Sequence, residues 1–316
     1  MIKYDSYFPF EKIRDQQKEA IEFCIDKVLG EKKRFCVIEA GTGVGKSAIG
    51  LTLARVIADA TYSSEDFLPG SYFVTTQKIL QQQYVDDFKS VVSLKSSSNY
   101  KCRFHTSNTC GESQKMLKTA EKSSKFFKTC TYNCRYKNHK QKFLDSAEGI
   151  SNFSYFLTEA NYSGKITPRQ TLVIDEGHNI ETELSKFVEV TVSEHFASSV
   201  LKIKFPAKLT QHQTYLWIRD TYLPTAKRRM KYFEDTIEKF GGDSMRDKLK
   251  QFQTITRQYD LLRGHIGKIE KFVKIYNSDN WVFDTSSTEK RGYRKVGFKP
   301  IDISVYAEDY LFRLGK

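Results

Sequence analysis

The chain has 316 residues, of which 39% are hydrophobic and 28% charged, and its net charge is 51 − 38 = +13. This length supports about two domains of roughly 100–200 residues each. No apolar run approaches the roughly 18 residues of a membrane helix, and Met1–Phe10 lacks the apolar core of a secretory signal. These features exclude an integral membrane protein. We therefore expect no membrane partner and a cytoplasmic location, or a nuclear one if the source is eukaryotic.

The amino-terminal part of the chain alternates helical and strand patterns. Apolar spacing predicts a helix over Asp15–Leu29, and Arg34–Ala40 is typical of a short buried strand. After a Gly-rich turn, a helix is predicted from Ser47 to about Ala58. A strand over Ser71–Thr76 and a helix over Gln77–Phe88 follow. This alternation predicts an α/β fold with a mostly parallel sheet.

A phosphate-binding loop is predicted between that first strand and the next helix. It reads Ala40, Gly41, Thr42, Gly43, Val44, Gly45, Lys46, Ser47. Its glycines let backbone N–H groups converge on phosphate, and the helix start adds positive potential. Lys46 can reach the β- and γ-phosphates of ATP, and Ser47 can place its hydroxyl on Mg²⁺. The first position holds Ala40 where the general pattern has Gly, and a small residue suffices there.

The segment from Lys95 to Lys140 is basic and rich in cysteine. Eleven Lys or Arg residues face only Glu112 and Glu121, and aromatic residues are interleaved with the charge. A solvated surface would also give an excess of lysine. Positive charge mixed with aromatic rings, however, is typical of surfaces that bind a nucleic acid backbone and stack its bases.

Four of the six cysteines fall in this segment, with the spacing Cys-x7-Cys-x19-Cys-x3-Cys. They are Cys102, Cys110, Cys130 and Cys134. Four thiolates can hold a tetrahedral zinc ion or a [4Fe–4S] cluster, and the spacing leaves both open. Only the last two cysteines have the close spacing of a zinc knuckle, and the flanks are too polar for a plain core. Cys24 and Cys36 lie in apolar segments and are predicted to be ordinary core residues.

A third strand, predicted over Thr171–Glu176, ends in two adjacent carboxylates. Ligands of parallel α/β sheets bind at the carboxyl ends of the strands. Asp175 is therefore predicted to hold Mg²⁺, and Glu176 to orient and deprotonate the attacking water. His178 could sense the γ-phosphate and relay its state. Such a strand end is often merely solvated, and the P-loop upstream favours the catalytic interpretation.

Beyond about Ser193 the chain is highly charged and predicted to be helical as far as Asn277, as a bundle or helical hairpin. Trp281–Asp284 and Tyr293–Ser304 resemble strands that return toward the α/β domain. We find no internal repeat.

The order P-loop, four cysteines, Asp-Glu-Gly-His resembles the XPD/DinG-like branch of superfamily 2 helicases. Residues 13–17 are similar to the family's Arg-x-x-Gln element, residues 74–77 to its motif Ia and residues 99–102 to the Asn-Tyr-x-Cys that opens its cluster domain. Residues 152–157 resemble its Asn-x-x-Tyr-x-Leu element. Gly177 stands where many relatives have Ala. The likeness is good from about Arg14 to Ile180.

This resemblance implies further roles. It assigns the nucleotide to Arg14 and Gln17, with Gln17 contacting adenine, and it favours [4Fe–4S] over zinc. Contacts to single-stranded DNA are assigned to Thr75, Thr76, Gln77, Arg103 and Tyr155. The implied partners are single-stranded DNA and DNA junctions, with translocation 5′→3′.

The implied fold is a RecA-like P-loop parallel sheet with an inserted four-cysteine iron–sulfur domain and an inserted helical arch domain. The first motor domain would occupy residues 1–94, 146–192 and 285–316. The iron–sulfur domain would span 95–145 and the arch 193–284.

A motor of this family needs a second RecA-like domain, and no second cluster of helicase motifs follows in this sequence. We therefore expect a fragment, a truncated chain or a split gene product that hydrolyses ATP very slowly. Two other functions stay open. One is a non-helicase P-loop ATPase with a zinc-bound insert that binds nucleic acid. The other is a catalytically idle module that clamps single-stranded DNA.

Overall fold

The computed structural model describes residues 3–61, 66–117, 120–207, 210–239, 249–285 and 292–316. The chain forms two compact units. The first comprises Met1–Ser96, Lys137–Glu183 and Ser304–Lys316, and the second comprises Ser97–Tyr136 and Leu184–Ile303.

The described residues form helices and strands with the following bounds. The helices are α1 (Asp15–Ile25), α2 (Lys46–Ala60), α3 (Lys78–Asp87), α4 (Cys110–Met116), α5 (Lys125–Tyr132), α6 (Arg135–Asp145), α7 (Phe153–Thr158), α8 (Ile180–Val188), α9 (Glu194–Ser199), α10 (Gln211–Trp217), α11 (Leu223–Lys239), α12 (Leu249–Ile275) and α13 (Ser304–Tyr310). The strands are β1 (Leu68–Thr75), β2 (Val92–Leu94), β3 (Glu148–Asn152), β4 (Arg169–Ile174), β5 (Val190–Ser193), β6 (Trp281–Asp284) and β7 (Lys295–Pro300). Among these described elements, no helix has the length and apolar character needed to cross a bilayer.

The first unit is built on a parallel sheet with the strand order β2-β3-β1-β4. Central β1 pairs with both neighbours, so that Tyr72 lies opposite Gly149 on one side and Leu172 on the other. Helix α2 packs closely on β4, because a Cβ at Gly50 would lie 2.9 Å from Val173 Cγ1. The predicted α/β class with a parallel sheet is confirmed. All four strands end at one edge, which brings the turns after β1 and β4 together.

One predicted strand is wrong. The segment Arg34–Ala40 leads into the P-loop as expected but forms no strand. Phe35 and Val37 are 56% and 88% exposed there. A strand exists only where a neighbour pairs its backbone groups, and in the described part of the sheet β4 is the edge strand on its side. An apolar run indicates a tendency to form a strand. Whether a neighbouring strand is present to pair with it depends on other parts of the chain.

The second unit combines helices with an antiparallel sheet in the order β5-β7-β6. Its strands β6 and β7 fall within the two segments predicted as strands, but both pair in this separate antiparallel sheet of the second unit instead of returning to the α/β unit. Lys115 on α4 donates to the Thr256 carbonyl on α12 (3.2 Å) and pairs with Asp260. The cysteine-bearing residues 97–136 thus pack with the long helices in one unit. The division into iron–sulfur and arch domains remains a prediction.

Candidate functional site

The P-loop adopts the backbone that its glycines predict. Gly43 and Gly45 have φ of 82° and 87°, in the left-handed region that favours glycine. Helix α2 begins directly after Gly45, so its first N–H groups have no partner within the helix. Lys46 Nζ donates to the Ala40 carbonyl at 3.1 Å, which folds the side chain back across the loop. Gly41 and Thr42 are exposed on the open side. The loop therefore has the geometry of an anion cradle.

Helix α1 supports the loop from behind. Arg14 Nη1 donates to the Gly43 carbonyl (2.8 Å), and Gln17 Nε2 donates to the Val44 carbonyl (2.7 Å). The Gln17 Oε1 atom accepts from the Arg14 N–H at 2.9 Å. Gln17 is only 5% exposed, and both ends of its amide are engaged. In this arrangement Gln17 fixes the P-loop, so an adenine contact requires its amide to change partners.

The acidic strand end lies beside the P-loop. The Asp175 N–H donates to the Val74 carbonyl (2.9 Å), which continues the ladder between β4 and β1 by one residue. Glu176 then turns the chain with φ of 57°. Its Oε1 atom lies 3.8 Å from Lys46 Nζ. The structure thus brings Lys46, Asp175 and Glu176, predicted as one site, to the same sheet edge.

Burial largely determines the electrostatics of the adjacent carboxylates Asp175 and Glu176. The pKa of Asp175 is raised, first because burial disfavours its charged form and second because Glu176 is adjacent. A hydrogen bond from the Glu176 N–H (3.1 Å) and the charge of Lys46 act in the opposite direction on this pKa. A divalent cation would relieve the same repulsion between the two carboxylates.

Tyr84 is a site residue that sequence reasoning missed. It lies on α3 and is 3% exposed. Its pKa is raised, mainly by burial and then by the charge of Asp175. The buried phenol therefore stays protonated close to Asp175. The available signal was weak: Tyr84 lies one helical turn after Leu80 on α3.

His178 lies just outside this cluster. Its Nδ1 is 3.4 Å from Glu176 Oε2, and its Nε2 is 3.1 Å from Asn179 Nδ2. The side chain is 72% exposed. It is therefore placed to contact both Glu176 and a molecule outside the cluster.

The residues predicted to contact DNA differ in accessibility. Thr75 is fully buried, so only Thr76 and Gln77 at this turn expose their side chains. Arg103 is exposed and donates to Asn133. Tyr155 is half-buried, and its hydroxyl donates to Glu159 Oε1 at 2.7 Å. The prediction for Thr75 therefore reduces to a role in shaping the turn.

All four cysteines of the predicted metal site are buried, and each is at most 5% exposed. Backbone N–H groups of Phe104 and His105 lie 3.4 Å from Cys102 Sγ, and Gln114 Nε2 lies 3.5 Å from Cys134 Sγ. The pKa of Cys110 is raised to about 11, first by burial and further by the neighbouring thiols of Cys134 and Cys102. Buried sulfurs, two of which have N–H donors nearby, suit a thiolate-bound group.

The side chains as placed do not form a closed coordination sphere. Within the described ranges, no group of three or more His, Cys, Asp or Glu side chains could hold a metal ion. The donor atoms, four buried cysteine sulfurs, are of the type that binds an iron–sulfur cluster. Which side chains would ligate it remains a prediction.

Comparisons with known proteins agree with this fold. Residues 10–209 match the protein family described as "Type III restriction enzyme, res subunit". No curated protein matches the chain. A solved structure titled XPD helicase is similar over 97% of this chain, at 15% identity and a TM-score of 0.51. One titled "Truncated XPD" is similar over 95%, at 13% identity and a TM-score of 0.46. The chain covers 57% of the first structure and 91% of the second. The first likeness shows a shared fold.

Proposed function

The chain belongs to the family described as "Type III restriction enzyme, res subunit", and from that premise we propose that it is the ATP-binding half of a DNA helicase motor. The observation that carries the proposal is the 3.8 Å approach of Lys46 Nζ to Glu176 Oε1 across the end of a parallel sheet. A cationic P-loop that faces two carboxylates is what a triphosphate and its metal require.

The geometry supports the following roles. Lys46 leaves the Ala40 carbonyl and binds the β- and γ-phosphates, whose charge is a stronger acceptor. Ser47 and Asp175 would hold Mg²⁺, which neutralises charge on the phosphates. Glu176 orients and deprotonates the attacking water. His178, in contact with Glu176 and solvent, reports the state of the γ-phosphate to the DNA side.

We propose that the motor translocates along single-stranded DNA in the 5′→3′ direction. Thr76 and Gln77 follow β1 at the edge where the nucleotide site lies. We propose that these two residues contact the strand, and that Arg103 and other basic residues of the 95–140 segment provide separate contacts to DNA. A second RecA-like motor domain would close over the nucleotide and supply an arginine finger. Until such a domain closes over the site, we expect hydrolysis to be very slow.

The buried cysteines are proposed to hold a [4Fe–4S] cluster, with zinc as the alternative. Visible absorbance typical of iron–sulfur proteins, together with iron and acid-labile sulfide analysis, separates the two. Zinc without iron in the purified chain would favour the non-helicase ATPase with a zinc-bound insert.

Substitution of Glu176 tests the catalytic assignment. In Glu176→Gln the residue keeps its shape but loses its basicity, so single-turnover hydrolysis should fall by about 100-fold or to background. Nucleotide affinity should be retained. The matched control is Glu181→Gln, an exposed residue on α8, which should hydrolyse like the unaltered chain. Equal rates in Glu176→Gln and the control would contradict the assignment. Fast hydrolysis stimulated by DNA in the unaltered chain would refute the need for a second motor domain.

A further inference from the structure

Outside the nucleotide site and the four-cysteine segment, the first unit holds two more free thiols at close range. Cys24 Sγ and Cys36 Sγ are 3.0 Å apart. The sequence predicted both as ordinary core residues. Cys24 is 3% exposed within the core beneath α1, whereas Cys36 is half-buried in the segment that leads into the P-loop. The pair therefore consists of one partly accessible sulfur and one buried sulfur.

The chain between the two thiols is folded so as to hold them together. Residues Asp26–Gly30 continue α1 as one wider turn, and the Lys33 N–H then donates to the Lys27 carbonyl at 2.9 Å. Lys32 adopts the left-handed conformation, with φ of 58°. These contacts reverse the chain, so Cys36 returns to face Cys24. A disulfide needs about 2.05 Å between sulfurs, so a closing movement of about 1 Å is sufficient.

We propose that Cys24 and Cys36 are a site of reversible oxidation, in which a small-molecule disulfide converts the two thiols into one disulfide. The half-buried Cys36, as its thiolate, attacks one sulfur of the reagent and releases one equivalent of its thiol. The Cys24 sulfur then loses its proton to solvent and attacks the sulfur of Cys36, which releases the second equivalent. Two protein thiols are oxidised and one reagent disulfide is reduced to two thiols, so atoms and electrons balance.

The order of these steps follows from the surroundings of each sulfur. The pKa of Cys24 is raised, first by burial and then by its hydrogen bond with Cys36. The buried thiol is therefore a poor first nucleophile and reacts only once Cys36 has become its neighbouring electrophile. Cys36 is the entry point, and Cys24 resolves the mixed disulfide.

The bond would tie α1 directly to the segment that leads into the P-loop. Helix α1 already contacts the loop through Arg14 and Gln17. Oxidation would add a covalent link at its other end and close a loop of about a dozen residues. We therefore expect the melting temperature of the oxidised chain to rise by about 5 °C, and the rise to vanish on reduction.

The test uses the whole chain, first reduced and then incubated with oxidised glutathione, followed by peptide mapping without reductant. The expected product is a linked peptide pair containing Cys24 and Cys36, lighter by two hydrogen atoms. In Cys24→Ser, glutathione should remain attached to Cys36. In Cys36→Ser, Cys24 should stay unmodified. If serine at the buried position prevents folding, Cys24→Ala provides the same readout.

Two results would overturn the proposal. One is a stable glutathione adduct on Cys36 in the unaltered chain without any link to Cys24. The other is modification of Cys24 in Cys36→Ser at the rate found for Cys36 in Cys24→Ser. Because the readout is the mass of the two peptides, failure here leaves the proposed ATP site untouched.

Discussion

At the residue scale, Asp175 carries a charge that the metal-free fold disfavours. Its pKa is raised by burial and by Glu176, so its ionised form opposes folding when no cation is present. A raised pKa gives a stability contribution that is present below the unfolded-state pKa and is lost as pH rises through the folded-state pKa. The carboxylate at this position therefore weakens the apo fold at neutral pH.

The variant Asp175→Asn tests whether the ionised Asp175 side chain lowers the stability of the apo fold. In chelator at neutral pH, we expect it to be more stable than the unaltered chain by about 0.5–1 kcal/mol, because the amide buries no charge. The difference should shrink as pH falls below the Asp175 pKa, where the native carboxyl is itself neutral. Stabilisation by Mg²⁺ and nucleotide should be lost in the variant. Thermal melts across pH provide the measurement, and a variant less stable at neutral pH would show that the carboxylate is a structural anchor.

At the element scale, β4 is joined to its neighbours through one buried cation. Arg169 is 1% exposed and lies over the Tyr72 ring, with its guanidinium 4.1 Å from the ring centroid. It donates to the carbonyls of Ser71 on β1 and of Phe143 and Leu144 at the end of α6 (2.9–3.2 Å). Burial lowers its pKa, and three carbonyls compensate for the lost hydration. Arg169 therefore fixes the end of α6 to the sheet.

Removal of this side chain should be costly. Arg169→Ala leaves three buried carbonyls without their donor and opens a cavity, so the free energy of unfolding should fall by about 3 kcal/mol or more. The loss in free energy of unfolding for Arg169→Lys should lie between zero and the loss for Arg169→Ala, because a lysine ammonium cannot reproduce the planar guanidinium group. The control Arg34→Ala removes an exposed pair with Glu308 and should cost less than about 1 kcal/mol. Chemical denaturation measures all three, and equal losses for Arg169→Ala and Arg34→Ala would contradict the interpretation.

Local signals in the sequence were enough for most elements of the first unit. The loop at residues 40–47 and helix α2 follow from glycine conformation and apolar spacing, and β4 from an apolar run that ends in acids. Features that depend on distant partners were missed. The strand predicted over 34–40 lacks a pairing neighbour within the described sheet, and Tyr84 and Arg169 gain their roles from residues far along the chain. Thr75 is fully buried, so its side chain is not accessible to DNA. The spacing of residues in the sequence does not encode that burial.

At the scale of the whole molecule, the net charge of +13 favours a polyanionic partner. Eleven of the basic residues lie between Lys95 and Lys140, and Lys101, Lys122 and Lys128 are exposed there. If this segment contacts the DNA backbone, each lysine that neutralises a phosphate adds about 0.7 to the salt dependence of single-strand binding.

Replacing those three lysines by alanine should therefore reduce the slope of log affinity against log salt by about 2. The matched control replaces Lys12, Lys89 and Lys299, which are also exposed but lie outside the segment. It removes the same charge and should leave the slope almost unchanged. Fluorescence anisotropy of a labelled single strand gives both values. Equal loss of slope in the two triple variants would show that binding follows net charge alone.

The most direct measurement is calorimetric titration of the chain with a non-hydrolysable ATP analogue and Mg²⁺, comparing Lys46→Ala with Lys78→Ala. Hydrogen bonds to charged groups contribute about 1.5–3 kcal/mol, so we expect Lys46→Ala to bind about 10–100-fold more weakly. Lys78 is exposed at the start of α3, outside the P-loop, so its variant should bind like the unaltered chain. Undiminished affinity in Lys46→Ala would contradict a triphosphate site between Lys46 and Glu176.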